Sequence, residues 1–135
     1  MDMPLLLPQK PPMVMVDALV QFTERAAATR LEIRADNIFV QHNRLAEPGL
    51  VENIAQTAAA NAGYTSALRG ESEAPVGYIA AIDRLQIHEL PPVGAIIETT
   101  IEVQNQVLNV TIIEGKITCD GQPVAQCVMK IFIRP

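Results

Sequence analysis

The feature that most constrains the fold is a nearly uncharged stretch over residues 50–68, which reads LVENIAQTAAANAGYTSAL, with Glu52 its only charged residue. A helix on the surface of a domain normally carries a charged face, whereas a helix without one is normally surrounded by protein. Pro48 suits the first turn of a helix and Gly70 suits its end. We therefore predict one long helix from Pro48 to about Arg69, roughly 30 Å in length at ~1.5 Å per residue.

The remainder of the chain reads as strands. Residues 13–24 and 26–40 predict two strands joined by a turn at Glu24 and Arg25, because apolar and charged residues alternate with a period of two. A polar connection over residues 37–47 leads to the helix, and GESEAP (70–75) reads as a linker after it. Three or four strands are then predicted within residues 76–90, 95–119 and 123–135, with turns at PPVG (91–94) and at Asp120 and Gly121.

This order of elements indicates an α+β architecture. One helix cannot cover both faces of a sheet, which excludes a doubly wound fold. A long antiparallel sheet wrapped around one central helix satisfies the strand order and the missing charged face. That arrangement is the hot-dog fold, and we expect a single such domain over residues 1–135. The alternative is an ordinary helix on one sheet face, with an outer side that is merely rich in alanine.

Small helix residues favour the wrapped arrangement, because they give the helix a thin waist that lets a sheet approach closely. They are Ala55, Ala58, Ala59, Ala60, Ala62 and Gly63. A half-barrel of this kind leaves an open sheet edge and exposed apolar surface. We therefore expect a homodimer or a larger hot-dog oligomer.

Composition excludes several classes of function. The chain has 135 residues, a net charge of -5 and no Trp, which argues against nucleic-acid binding by clustered Lys and Arg. Cys119 and Cys127 fit no common zinc spacing and suit a reducing cytosol, so we expect a cytoplasmic protein without a metal. MDMPLLLPQKPP lacks the basic region of a signal peptide. Four polar residues in the uncharged stretch argue against a membrane span: Glu52, Asn53, Gln56 and Asn61.

Three segments resemble a known family. LPQKPPMVMVD (7–17) resembles the LPHRxPFLLVD opening of hot-dog 3-hydroxyacyl-[acyl-carrier-protein] dehydratases of bacterial fatty-acid synthesis. IFVQHNRLAEPGLVENIAQ (38–56) is similar to their FFxGHFPxxPxxPGVLxxEAMAQ segment. GYIAAIDRLQIHELPPVGAIIETTIEV (77–103) resembles their strand pair around GIDKxRFRRPVxPGDxL. The short loop is most similar to small dehydratase-like proteins associated with aryl-polyene and flexirubin pigment pathways.

The resemblance implies a catalytic site. His42 falls on the catalytic histidine of the family and Glu52 on its catalytic acid. Pro48 and Gly49 match the Pro-Gly pair at the helix start, and Gln56 matches the glutamine after the acid, where it would support the pocket. In the family, histidine and acid face each other from different subunits of a dimer, and no metal or organic cofactor takes part.

The sequence also departs from the family pattern. Gln41 replaces the glycine before the histidine, and the Phe-Pro pair after it becomes Asn43 and Arg44. The loop from His42 to the Pro-Gly pair is two to four residues shorter than in the family, depending on where the gap is placed. Gln9 replaces the histidine of the LPH opening. These changes affect the backbone of the histidine loop and a residue near the pocket.

The chemistry of dehydration suits these residue types. The reaction removes a proton α to a thioester carbonyl and gives one to the departing hydroxyl. Histidine takes such a proton at neutral pH, and a carboxyl buried at an apolar helix start holds and delivers one. We expect the N–H groups of Gly49 and Leu50 to lack intrahelical partners and to stabilise enolate-like charge. Without such a function, Glu52 only favours the helix dipole and His42 is a solvated loop residue.

The sequence therefore predicts a dehydratase acting on 3-hydroxyacyl thioesters linked to acyl carrier protein or to coenzyme A. A hot-dog thioesterase, or a degenerate subunit that binds acyl chains or an active partner, are the alternatives. An acyl carrier protein is acidic, like this chain, so docking requires a local basic patch. Its candidates are Arg44, Arg69, Arg84 and Lys130; without a patch, coenzyme A is favoured. His88 is interpreted as a surface or interface residue, and Asp83 as structural at a strand bend.

Overall fold

The computed structural model describes residues 6–71 and 75–134. The elements are β1 (Ala18–Thr23), β2 (Ala26–Glu32), β3 (Val40–Gln41), β4 (Arg44–Leu45), α1 (Glu47–Leu68), β5 (Gly77–Ile87), β6 (Ile96–Val107), β7 (Val110–Cys119) and β8 (Gln122–Ile133). Six strands form one antiparallel sheet in the order β1-β2-β6-β7-β8-β5, and β3 pairs with β4 in a separate hairpin.

The large sheet curls around α1, which packs against β1, β2, β6 and β7. Alternation within the strands sets the buried face: in β6, Ile97, Thr99 and Ile101 are buried while their neighbours Glu98 and Thr100 are exposed. The inward residues of several strands meet Leu50 and Ile54 of α1 in one core. The predicted hot-dog fold is confirmed.

Close approaches between helix and sheet occur at glycines rather than at the alanines of the predicted waist. A Cβ atom on Gly115 of β7 would overlap the side chain of Ile54, so the helix lies directly against the strand there. Of the helix alanines, Ala58 and Ala60 are buried, whereas Ala55, Ala59 and Ala62 remain half-buried. The thin waist is therefore only part of the explanation for the alanine-rich helix.

The segment before β1 forms a strap along α1. A Cβ atom on Gly63 would overlap the carbonyl of Leu6, and side chains about two to three turns earlier in the helix bind the backbone of Met13 and Met15. The strap therefore runs antiparallel to the helix.

The element boundaries correct several predictions. The helix begins at Glu47, one residue before the predicted Pro48, and Ala46 is its N-cap. The predicted polar connection over residues 37–47 contains the β3–β4 hairpin. Residues 95–119 form two strands, which makes four described strands after the helix, within the predicted three or four; the chain turns between them at Leu108, which has a φ of 57°. The first two strands are shorter than predicted, whereas the turns at Glu24 and Asp120 are confirmed. Residues 1–5 and 72–74, which the N-terminal and linker predictions include, lie outside the described residues.

β5 is one of the two edge strands of the sheet. Among the described strands it pairs only with β8, as β1 pairs only with β2 at the other edge, and two register irregularities interrupt the β5–β8 pairing, after Ile79 and after Asp83. Ile79 and Ile82 lie opposite the buried Ile131 and Met129, so they belong to the inner face, yet each is 39% exposed. The helix therefore leaves the inner face of β5 uncovered.

Candidate active site

Glu52 is held in place by a hydrogen-bonded amide. Gln56, one turn later on α1, donates from Nε2 to Glu52 Oε1 at 2.9 Å and to the carbonyl of Met13 at 2.7 Å. Its Oε1 accepts the N–H of Met15 at 2.6 Å. All donors and the acceptor of this amide are therefore used, and the strap backbone dictates that its N–H group points at the carboxyl.

A second set of buried polar groups fixes the helix against the sheet. Asn53 is fully buried; its amide donates to the carbonyl of Met15 at 2.8 Å and its Oδ1 accepts the hydroxyl of Thr99 at 2.5 Å. Thr57 donates to the carbonyl of Asn53 at 2.8 Å and pairs with Thr29 of β2 at 2.7 Å. Because buried amides must find partners, this network specifies the rotation of α1 and thereby directs Glu52 away from the sheet.

Glu52 lines a groove of about 580 Å³ between α1 and the open side of the sheet. The helix contributes Ala55, Ala58, Ala59 and Ala62 to its wall, and the middle of the facing wall is apolar. The apolar residues of that wall are Ile79, Ile101, Val103, Ile113, Ile131 and Ile133. At the opposite end from Glu52 the lining becomes polar, with Glu24, Arg25, Arg69, Glu71, Gln106 and Thr111. The volume falls in the ordinary range of ligand sites.

Two unsatisfied polar atoms occur in this groove. Among the described residues, the buried side-chain atoms without a hydrogen-bond partner are Gln9 Oε1 and Thr65 Oγ1, and both residues line it. A buried polar group without a partner costs about 1–3 kcal/mol. Both residues with such an atom therefore lie along the groove.

His42 lies outside the groove. It is exposed at the tip of the β3–β4 hairpin, where His42 and Asn43 have φ values of 52° and 66°, as in a type I′ turn. The hairpin is anchored to the loop after β5: Arg44 Nη1 donates to the carbonyl of Leu90 at 2.5 Å, and Val93 donates to the carbonyl of Asn43 at 3.0 Å. This tight turn accounts for the shortness of the loop and for the replacement of Phe-Pro.

One prediction about the helix start is wrong. The N–H groups of Gly49 and Leu50 both donate to the carbonyl of Ala46, at 2.9 and 3.4 Å. The physical reason is that the helix begins at Glu47, so these residues already lie within its first hydrogen-bonded turn. Pro48 occupies the first turn as predicted, where its missing N–H leaves no gap in the hydrogen bonding.

Gly49 is required by packing. A Cβ atom at this position would lie 2.8 Å from Leu45 Cδ1 and 2.8 Å from Phe39 Cβ. The glycine therefore lets the histidine hairpin pack directly on the start of the helix. This contact fixes the position of the hairpin relative to the helix.

Within one chain, the structure thus brings Gln56 to Glu52, at a groove that Gln9 also lines, but leaves His42 outside that groove. Asp83 lies at a register irregularity of β5, and His88 is exposed. Of the candidate docking residues, Arg44 lies beside the helix start and Arg69 caps its end, roughly 30 Å apart along a helix of this length. The four cations therefore do not form one patch.

No group of three or more His, Cys, Asp or Glu side chains within residues 6–71 and 75–134 is arranged to hold a metal ion. Over the same ranges, no helix combines the length and the apolar character needed to cross a bilayer.

The residues that sequence reasoning missed are the groove alanines. It assigned Ala55, Ala59 and Ala62 to close packing, but they line the open groove. A signal was present in their spacing: at intervals of three to four residues after Glu52, they share its face of the helix. Asn53 and its network were missed because a buried amide carries no distinctive spacing.

Comparison with known proteins gives a family match over the whole chain. A family model described as ApeP-like, ApeP dehydratase, matches residues 1–135. A search of curated proteins returned no match.

Solved structures share the fold over most of the chain. The dehydratase heterocomplex ApeI:P from Xenorhabdus doucetiae has a TM-score of 0.89 at 16% identity, covering 96% of this chain and 88% of that one. An uncharacterized protein from Pyrococcus horikoshii has a TM-score of 0.73 at 10% identity, covering 99% and 95%. A hypothetical thioesterase from Streptococcus pneumoniae with coenzyme A has 0.69 at 8%, covering 86% and 84%.

Proposed function

The chain belongs to the ApeP-like dehydratase family, and on that premise we propose that it dehydrates 3-hydroxyacyl thioesters to trans-2-enoyl thioesters. The observation that carries the proposal is a carboxyl group fixed by an amide at one end of an apolar groove. The apolar walls suit an acyl chain, and the carboxyl lies where the reacting carbons would be. The reaction requires no metal or organic cofactor.

Glu52 protonates the leaving hydroxyl in this scheme. Gln56 occupies Oε1 of the carboxyl, so Oε2 carries the transferred proton. As the C3–O bond breaks, that proton leaves with the hydroxyl as water. Gln56 then acts as a positioning residue, since it orients the carboxyl without touching the substrate.

His42 removes the proton from C2, and the electron pair of that C–H bond forms the C2=C3 double bond. The resulting imidazolium and carboxylate return to their starting states when one proton moves from His42 to Glu52. Because His42 lies outside the groove of its own chain, we propose that it serves the groove of a partner protomer. The N–H groups of Gly49 and Leu50 are engaged by Ala46, so their part is limited to the positive end of the helix dipole.

The open edge of β5 supports a dimer. Four apolar side chains on this strand are exposed by 39–52%: Tyr78, Ile79, Ile82 and Leu85. An unpaired edge with exposed apolar residues favours pairing with another chain. The groove that Glu52 lines lies on the same side as this edge of β5. A second protomer at the edge would therefore cover the groove and bring its own histidine hairpin towards it.

The positions of the candidate cations bear on the carrier of the thioester. Because the candidate cations do not form one patch, a coenzyme A thioester suits this chain alone, whereas an acidic carrier protein would need cations contributed by a partner subunit. Free thiols at Cys119 and Cys127 support a reducing, cytoplasmic setting.

The test is an absorbance assay for the enoyl thioester, using 3-hydroxyacyl substrates on carrier protein and on coenzyme A. We expect His42→Ala and Glu52→Gln each to reduce the rate by about 10²- to 10⁴-fold, because each removes one proton transfer. His88→Ala and Glu47→Gln are matched controls, since one removes the other histidine and the other alters a second acid in the first helical turn.

A wild-type rate that survives within about tenfold in both site variants would contradict the assigned roles. Release of free thiol without enoyl product would instead support the thioesterase alternative, for which the structural similarity to a hypothetical thioesterase is the motivating observation.

A second candidate function is a partner subunit without its own activity. The exposed position of His42 favours it, and the similar structure from Xenorhabdus doucetiae is a heterocomplex. Co-expression with a second hot-dog dehydratase tests this candidate by size-exclusion chromatography and by activity. A stable heterodimer that dehydrates normally with His42→Ala and Glu52→Gln in this chain would establish it.

A further inference from the structure

The backbone of Met15 is held by two side chains of the central helix. Its N–H donates to Gln56 Oε1 at 2.6 Å, and its carbonyl accepts from Asn53 Nδ2 at 2.8 Å. Met15 is buried and precedes β1, so its peptide groups lie outside the sheet ladder that begins at Ala18. Because buried peptide groups must find partners, these two side-chain amides fix the strap at this point.

A donor sets the orientation of each of the two amides. Thr99 of β6 donates its hydroxyl to Asn53 Oδ1 at 2.5 Å, so the NH2 group of Asn53 faces the Met15 carbonyl. The Met15 N–H occupies Gln56 Oε1, so the NH2 group of Gln56 faces Glu52. The oxygen and the nitrogen of a side-chain amide point in different directions, and the donor to the oxygen therefore decides where the nitrogen points. The bonds form a continuous series from the sheet to the carboxyl.

We propose that Asn53 and Thr99 are positioning residues for Glu52, and that they act through the Met15 peptide and Gln56. The proposal rests on the proposed function for the role of the carboxyl, whereas the series of bonds comes from the structure itself. Asn53 directly follows Glu52, and neighbouring helix residues point about 100° apart, so the two side chains do not face each other. Neither Asn53 nor Thr99 lines the groove. Their effect on the reaction therefore passes through the strap.

Two inward-facing threonines of the sheet provide a matched comparison. Thr29 of β2 and Thr99 of β6 are cross-strand partners, and both are fully buried. The Thr99 hydroxyl bonds the Asn53 side chain, which holds the strap. The Thr29 hydroxyl instead bonds Thr57 at 2.7 Å, and Thr57 bonds the backbone carbonyl of Asn53. Valine at either position removes one hydroxyl and keeps the branched shape, but only Thr99→Val interrupts the series.

Steady-state kinetics with 3-hydroxyacyl thioesters of carrier protein and of coenzyme A test the proposal. We expect kcat to fall about tenfold in Thr99→Val and about 10²-fold in Asn53→Ala, with KM unchanged, because a displaced carboxyl slows the chemical step without altering substrate binding. Thr99→Ser keeps the hydroxyl and should retain the wild-type kcat. Thr29→Val should also retain it. The two Thr99 variants carry the test where Asn53→Ala is too unstable to purify.

Hydrogen exchange provides a second readout that does not require activity. The Met15 N–H and the Gln56 NH2 group are buried and hydrogen-bonded, so both should exchange slowly in the wild-type protein. In Thr99→Val their exchange should accelerate about fivefold, the ratio expected for the loss of one net hydrogen bond. In Thr29→Val it should stay at the wild-type rate. Heteronuclear NMR spectra of the full chain measure both groups, and Gln56→Ala identifies the NH2 signals by their disappearance.

Equal losses of kcat in Thr29→Val and Thr99→Val would overturn the proposal, since the polar network would then act only by holding the helix on the sheet. An unchanged kcat in Thr99→Val, or a rise in KM alone, would overturn it as well. A wild-type protein without dehydratase activity would reject the proposed function, and hydrogen exchange would then decide the link to the carboxyl. Acceleration confined to Thr99→Val would uphold that link, and equal exchange in the two valine variants would overturn it.

Discussion

The two sides of the central helix differ in how they avoid charge. The side that faces β2, β6 and the strap is polar: Asn53, Gln56 and Thr57 are buried there and each is hydrogen-bonded. The side that faces β5 presents mainly alanines to an open groove, which Asn61, Thr65 and Ser66 also line. We call these the closed side and the open side of α1.

The difference explains the uncharged stretch. On the closed side a charge would be buried without a partner, so only neutral groups that match the sheet and the strap are tolerated. On the open side the helix is half-buried, and the buried atoms without partners, at Gln9 and Thr65, both lie there. Glu52 lies where the two sides meet, anchored by the closed side and exposed to the open one. The closed side fixes the helix in place, and the open side remains free to be occupied.

The largest expected effect comes from a substitution that disrupts the packing of the closed side. Ile54 is fully buried and fits the space left by Gly115, so Ile54→Ala should lower the free energy of unfolding by about 2–5 kcal/mol through lost burial and a cavity. Ala59→Ser on the open side should change it by less than about 0.5 kcal/mol. Urea denaturation followed by circular dichroism measures both. Equal losses would mean that the two sides are packed alike.

An intermediate effect on stability is expected in the polar network of the closed side. Asn53→Ala leaves the Thr99 hydroxyl and the Met15 carbonyl without partners, and we expect a loss of about 2–4 kcal/mol. Thr99→Val should cost less, because it removes one partner while keeping the shape of the side chain. In the double variant the loss should be smaller than the sum of the two single losses by about 1 kcal/mol. Strict additivity would show that the hydrogen bond contributes nothing.

The smallest effect tests how well the closed side excludes water. Burial raises the pKa of Cys127 from 9.0 to about 11. A raised pKa favours the thiol in the folded state, so this stabilisation is complete below about pH 9 and is lost as the pH rises towards about 11. Stability should fall over that window by at most about 1.4 kcal/mol per pH unit.

Cys127→Ala should flatten that part of the alkaline profile, as measured by urea midpoints between about pH 8 and pH 11. Burial, with Asp120 and Glu89, also raises the pKa of Cys119, so Cys119→Ala is the matched control. An unchanged slope in Cys127→Ala would show that water reaches the thiol.

The fold was predictable because its strongest signals are local. The helix was identified by its missing charges, by Pro48 and by Gly70, and the β7–β8 turn by Asp120 and Gly121. The turn at Leu108 was missed because a leucine at positive φ carries no turn signature, and its conformation is imposed by the pairing of β6 with β7. The histidine hairpin was missed for a similar reason, since His42 and Asn43 replace the usual Asn-Gly pair.

The sequence by itself determined which residues are available for chemistry and that the helix is enclosed, because composition and helical spacing decide what can be buried. Only the tertiary structure decided which side of the helix is closed and which is open. It also engaged the N–H groups of Gly49 and Leu50 with Ala46, bound Gln56 to Glu52 and the strap, and separated His42 from the groove. The rotation of α1 and the position of His42 depend on contacts between residues far apart in the chain, and no local pattern encodes the partner of a buried hydrogen-bonding group.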